Sequence, residues 1–106
     1  MARNQLIVQL RAETAEEFER CVEVEDALIQ AFSQNTFAEV DAHDVGDGRF
    51  NIFIYPTDTW APVVERVHAF LKLKGVLGEA VVTKRIGNSG RLKVIWPSTY
   101  TKTFEL

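Results

Sequence analysis

Residues 37–56 read Phe37-Ala38-Glu39-Val40-Asp41-Ala42-His43-Asp44-Val45-Gly46-Asp47-Gly48-Arg49-Phe50-Asn51-Ile52-Phe53-Ile54-Tyr55-Pro56. Two β-rich runs flank a Gly-Asp-Gly triplet, and Asp-Gly supplies the positive φ angles that a tight hairpin needs. The spacing predicts one strand over Phe37–Val45, a turn at Gly46–Gly48 and a second strand over Phe50–Tyr55, stopped by Pro56. A two-residue turn at Asp47-Gly48 would pair Val45 with Phe50, Asp44 with Asn51, His43 with Ile52, Ala42 with Phe53 and Asp41 with Ile54. A three-residue loop would shift every pair by one.

Moving outward toward the N-terminus, Ile7 and Gln9 alternate with Leu6, Val8 and Leu10 at the period of a strand. Thr14 then stands three residues before Glu17, the spacing of a capping box, so a helix is expected from about Ala15 to Phe32. Its apolar stripe comprises Phe18, Cys21, Val22, Leu28, Ile29 and Phe32, and Glu25 falls in the middle of that stripe. Residues Ser33 to Thr36 carry turn chemistry.

Beyond the hairpin, Asp58 can cap a second helix, with Pro62 tolerated in its first turn. Val63, Val64, Val67, Phe70 and Leu71 give it an apolar face, and Lys74 and Gly75 suit its C-terminal end. A strand over Ala80–Ile86, a turn at Gly87–Gly90 and a strand over Arg91–Trp96 complete the pattern. The order β-α-β-β-α-β plus one further β resembles the ferredoxin-like α+β sandwich over about residues 4–96. That resemblance implies an antiparallel sheet with two helices on one face and an extra C-terminal strand. Residues 1–106 are expected to form one domain, with 97–106 as a tail. Val40, Asp41, His43, Asp44, Gly46, Asn51, Ile52 and Phe53 also resemble small bacterial proteins of this type, a likeness that implies no activity.

Apolar residues make up 46% of the 106 residues and charged residues 25%, the composition of a globular chain. The only cysteine is Cys21, which fits a reducing, cytoplasmic setting. No signal peptide or membrane span is read. The formal net charge of −3 argues against nucleic acid as a partner. Twelve of the 15 acids but only four of the 12 basic residues lie in residues 1–58. The plainer expectation is that the two halves neutralise each other across the fold. The alternative is a partner with a basic surface.

The candidate site consists of Glu25, Asp41, His43, Asp44 and Asn51. A carboxylate facing the sheet needs a cation or donors, either as a structural group or as a functional one. Asp41 and His43, alternate on one strand, could chelate a metal ion or form a carboxylate–imidazole pair. No metal is expected, because a site usually takes about three or four ligands and no ligand motif is present. No cofactor and no catalytic set is read either. Cys21 reads as a small hydrophobe, and the glycines fit turns rather than a phosphate cradle. Lys84, Arg85, Arg91 and Lys93 read as a solvated edge hairpin, and His68 as solvent-facing.

Whether His43 meets Glu25 depends on which face of the hairpin turns to the helices. With Phe50, Ile52 and Ile54 inward, Asp41 and His43 lie near Glu25. With Phe53 and Tyr55 inward, Ala38, Val40 and Ala42 join the core and His43 looks outward. The second arrangement gives the cleaner apolar core and is the expected one. Apolar residues on both faces of the inner strands further predict a homodimer through the open face of the sheet, with covering by the tail as the other possibility. The overall expectation is a non-catalytic domain that binds another protein, immunity- or inhibitor-like in form. The alternative is a small-ligand, metal-binding or enzymatic role centred on Glu25, Asp41, His43 and Asp44.

Overall fold

The computed structural model describes residues 4–33, 38–57, 59–87, 90–100 and 104–106. The chain folds as β1 (Gln5–Arg11), α1 (Ala15–Ser33), β2 (Ala38–Gly46), β3 (Arg49–Pro56), α2 (Trp60–Leu73), a 3₁₀ turn (Leu77–Glu79), β4 (Val81–Ile86) and β5 (Arg91–Trp96). The architecture is α+β: the strands form one sheet in the order β2-β3-β1-β4-β5, and every neighbouring pair is antiparallel.

Both helices cover the same face. Leu6, Val8 and Leu10 of β1, Phe50, Ile52 and Ile54 of β3 and Val82 of β4 share one buried cluster with Cys21, Val24, Leu28 and Phe32 of α1 and Val63, Val67 and Leu71 of α2. None of the described helices is long and apolar enough to cross a membrane.

The local signals explain where α1 begins and α2 ends. The Glu17 N–H donates to Thr14 Oγ1 at 3.1 Å, and Glu17 Oε1 accepts from the N–H groups of Glu13 and Thr14, at 3.0 and 3.2 Å. The box therefore satisfies donors that the first turn leaves unpaired. At the other end, Gly75 has φ +74°. Its N–H reaches the Lys72 carbonyl while the Val76 N–H reaches that of Leu71, the paired bonds of a Schellman stop. The N-cap of α2 is Thr59, with no side-chain cap bond; the expected cap Asp58 lies outside the described residues, as do 34–37 and 88–89.

The hairpin turn is the two-residue form. Asp47 (φ +53°) and Gly48 (φ +76°) are both left-handed, and Gly46 pairs with Arg49. The expected pairs Val45–Phe50, Asp44–Asn51, His43–Ile52 and Ala42–Phe53 all form. The pairing of Asp41 with Ile54 does not. Val40 takes Ile54 instead, and Asp41 is the extra residue of a β-bulge between Val40 and Ala42.

That bulge corrects the expected facing of the hairpin. Phe50, Ile52 and Ile54 are the residues turned to the helices, each fully buried, whereas Phe53 and Tyr55 are only half-buried. Because a strand alternates sides at every residue, one inserted residue reverses the parity of everything beyond it. Before the bulge Ala38 and Val40 face the helices; after it His43 does. The apolar core and the inward histidine, read from the sequence as alternatives, coexist.

Two residues of the expected α1 stripe are displaced as well. Phe18 and Ile29 are exposed by 39% and 41%, while Val24 is buried. The buried arc is centred on Val24, Cys21 and Leu28, so Glu25 stands at its flank rather than in its middle.

The sheet face away from the helices is also closed at its centre. Ile7, Asn51 and Thr83 are buried there. The end of the chain returns to this face: Gln9 Nε2 donates to the main-chain oxygen of Glu105 at 2.6 Å, and Arg49 pairs with the Glu105 carboxylate at 3.2 Å.

Candidate functional site

α1 carries Glu25 on the side of the helix nearest β2 and buries it to 6% exposure. β2, restored to the inward parity by the bulge, aims His43 at it. The Nδ1 atom of His43 lies 2.8 Å and 2.9 Å from the two carboxylate oxygens of Glu25. An ionised carboxylate accepts only, so Nδ1–H is the donor. This fixes the tautomer of a neutral ring and leaves Nε2 as its basic atom.

Ring contacts hold the imidazole in place. It stacks on Phe50 with centroids 4.6 Å apart and planes 19° from parallel, and Phe18 meets the same phenyl edge-on at 5.6 Å and 71°. Phe18, half lost from the core, thus backs the phenyl on which the histidine stacks. A buried carboxylate without donors would cost several kcal/mol, of order ~1–3 even by mutational measures. His43, itself 38% exposed at the side chain, supplies the donor while keeping one edge toward water.

Of the other candidates, Asp41 occupies the bulge and is exposed. Asp44 pairs in register with Asn51, and both belong to the opposite face of the sheet. Asn51 is 1% exposed, and its Oδ1 accepts from Gln9 Nε2 at 3.0 Å. The five residues therefore divide into an inward pair, an exposed bulge residue and a pair on the far face. Among the described residues no three or more histidine, cysteine or acidic side chains come together as metal ligands.

Cys21 is buried, and its Sγ lies 3.4 Å from the Arg11 carbonyl oxygen. Burial pushes its thiol from the ordinary 9.0 up to about 11, with Arg20 opposing and Glu79 and Glu17 adding to the rise. A thiol so held is a poor nucleophile at neutral pH. His68 is not solvent-facing as expected: it meets the Trp96 ring edge-on at 4.8 Å and is half-buried. Trp96 is fixed in turn by its indole N–H on the Leu77 carbonyl, at 2.9 Å.

Charge is sorted by position in the sheet. The acidic strand β2 forms one edge and the basic strand β5 the other. Exposed Glu16, Glu19, Glu23 and Asp26 on α1 join exposed Glu39, Asp41 and Asp44 on β2. Lys84, Arg85, Arg91 and Lys93 line the far hairpin. Two ion pairs that join the halves, Arg20 with Glu79 and Arg49 with Glu105, each couple a cation of residues 1–58 to an acid of residues 59–106.

Sequence reasoning missed the glutamines of the open face. Gln5 donates to the Tyr55 hydroxyl at 2.9 Å, while Gln9 links Asn51 to the chain end. Glutamines flanking Ile7 at a spacing of two on a central strand were the available signal, because along β1 the other face carries only Leu6, Val8 and Leu10. Comparison with family models, with curated proteins and with solved structures finds no match for the chain.

Proposed function

We propose that this is a ferredoxin-like βαββαβ domain with an added edge strand, and that it binds another protein without catalysing a reaction. The binding surface is the acidic edge formed by the outer side of α1 together with β2, and its partner presents a basic surface. The observation that carries this reading is the strand order. It sends the acidic strand β2 and the basic strand β5 to opposite edges, and that separation supports a surface of one sign along the β2 edge. Complementary charge of this kind speeds and orients association. The single buried Cys21 supports a reducing, cytoplasmic setting. Capture from a native lysate at low salt tests the reading. A partner held by the wild-type chain, released as salt rises and lost from the combined Asp41→Asn, Asp44→Asn and Asp47→Asn variant is the expected result. A partner held equally by that variant would overturn it.

A second reading rests on the Glu25–His43 pair. A histidine tied through Nδ1 to a buried carboxylate offers Nε2 as a proton acceptor or as a single ligand to a small molecule. A metabolite and metal screen by thermal shift tests it: a ligand that raises the melting temperature of the wild-type chain but not of His43→Gln supports this role.

A further inference from the structure

The end of the chain is held on the open sheet face by side chains of two central strands. Gln9 of β1 donates to the main-chain carbonyl of Glu105 at 2.6 Å. Arg49 of β3 donates to the Glu105 carboxylate at 3.2 Å and to a main-chain oxygen of Leu106 at 3.4 Å. These contacts form a recognition set. A carboxamide that takes a main-chain carbonyl is blind to sequence, whereas a guanidinium selects a carboxylate. The set is held loosely, since the Glu105 side chain is 67% exposed and its ion pair is open to solvent.

The same face holds more hydrogen-bonding capacity than the chain end uses. Toward the start of β1, Gln5 Oε1 is buried without a partner, and Thr83 Oγ1, across from Ile7 on β4, is buried without one too. The two residues are 7% and 0% exposed. Buried polar atoms are almost always paired, and these two have no partner among the described residues. Arg85 stands directly opposite Gln5 in register, so cationic side chains occur toward both ends of the face.

We propose that the open face is a peptide-binding groove in which residues 104–106 are a resident, displaceable occupant. The occupant it takes in exchange is an extended peptide with a carboxylate side chain next to an apolar residue. Its carboxylate replaces that of Glu105 on Arg49, and its main chain offers a carbonyl to Gln9. This site adjoins the acidic edge at Asp44, which pairs in register with Asn51, but neither reading depends on the other.

The full chain and a fluorescently labelled synthetic peptide with the sequence of residues 98–106 provide the test. The wild-type chain binds the peptide weakly, because the resident segment competes at high local concentration. Glu105→Lys removes the resident carboxylate from Arg49 and tightens peptide binding by at least about tenfold, with an unchanged circular dichroism spectrum. Adding Arg49→Ala abolishes that gain, and a peptide with lysine in place of its glutamate does not bind. A folded Glu105→Lys chain that binds the peptide no better than wild type would overturn the proposal. So would a Glu105→Lys chain that only dimerises by light scattering and takes no peptide.

Discussion

His43 Nδ1 sits within 2.9 Å of both oxygens of the Glu25 carboxylate, one ring nitrogen bridging the whole group. The carboxylate is the buried partner and the imidazole the half-exposed one, so the two positions respond differently to substitution. His43→Ala strands the carboxylate and should cost about 1–3 kcal/mol of stability. Glu25→Gln retains an acceptor for the Nδ1 proton and should cost less than about 1 kcal/mol. Urea unfolding of both single variants and the pair, read as a double-mutant cycle, gives the coupling. Additive losses would show that the contact contributes nothing.

The turn that sets the hairpin register makes a second expectation. Gly48→Ala forces a side chain into φ +76° and brings its Cβ to 2.8 Å from the Glu13 side chain, which is flexible and can move aside. The backbone strain remains, and a loss of about 1 kcal/mol follows. Asp47→Asn, at φ +53°, should be close to neutral because asparagine tolerates that region. Denaturation midpoints at equal slope test both.

Deleting Asp41 is a sharper probe of the bulge. Without the extra residue, either Val40 and Ala38 or His43 and Val45 must turn to the wrong face. The shortened chain is expected to lose cooperative unfolding, whereas Asp41→Ala, which keeps the count, should unfold cooperatively. Calorimetry distinguishes them.

Cys21 gives a prediction in pH. Its thiol stays protonated in the folded chain up to about 11, against 9.0 ordinarily. Above about 9 the unfolded chain therefore holds fewer protons than the folded one, and stability falls as pH rises toward 11. Cys21→Ala should show a shallower decline over that interval. At pH 8 iodoacetamide should label the native thiol far more slowly than the unfolded one. Equal labelling rates would contradict a buried, protonated thiol.

The element order and both helix-end signals were legible in the sequence because they depend on local chemistry: Thr14 with Glu17, Asp47 with Gly48, Gly75 after Lys74. The Asp47-Gly48 register likewise predicted four pairs correctly as far as Ala42. What failed was parity beyond that point. A bulge leaves no mark in an alternating pattern, since Val40 and His43 each fit a regular strand on their own side. The mutual position of Glu25 and His43 was read only as one of two options for the same reason. Phe18 and Ile29 misled because a helical wheel weighs hydrophobicity, whereas burial follows the sheet beneath, and the arc that meets the sheet is centred on Cys21, Val24 and Leu28. The chain end on Gln9 and Arg49 is a contact between residues 96 and 56 positions apart, beyond the reach of any local pattern.

Acidic β2 at one edge of the sheet and basic β5 at the other make the molecule an electric dipole lying across its strands. Its net charge of −3 then understates how it meets charged matter. A cation exchanger at low salt should retain it by its β4–β5 edge even above the isoelectric point of about 5.3 that its sequence gives.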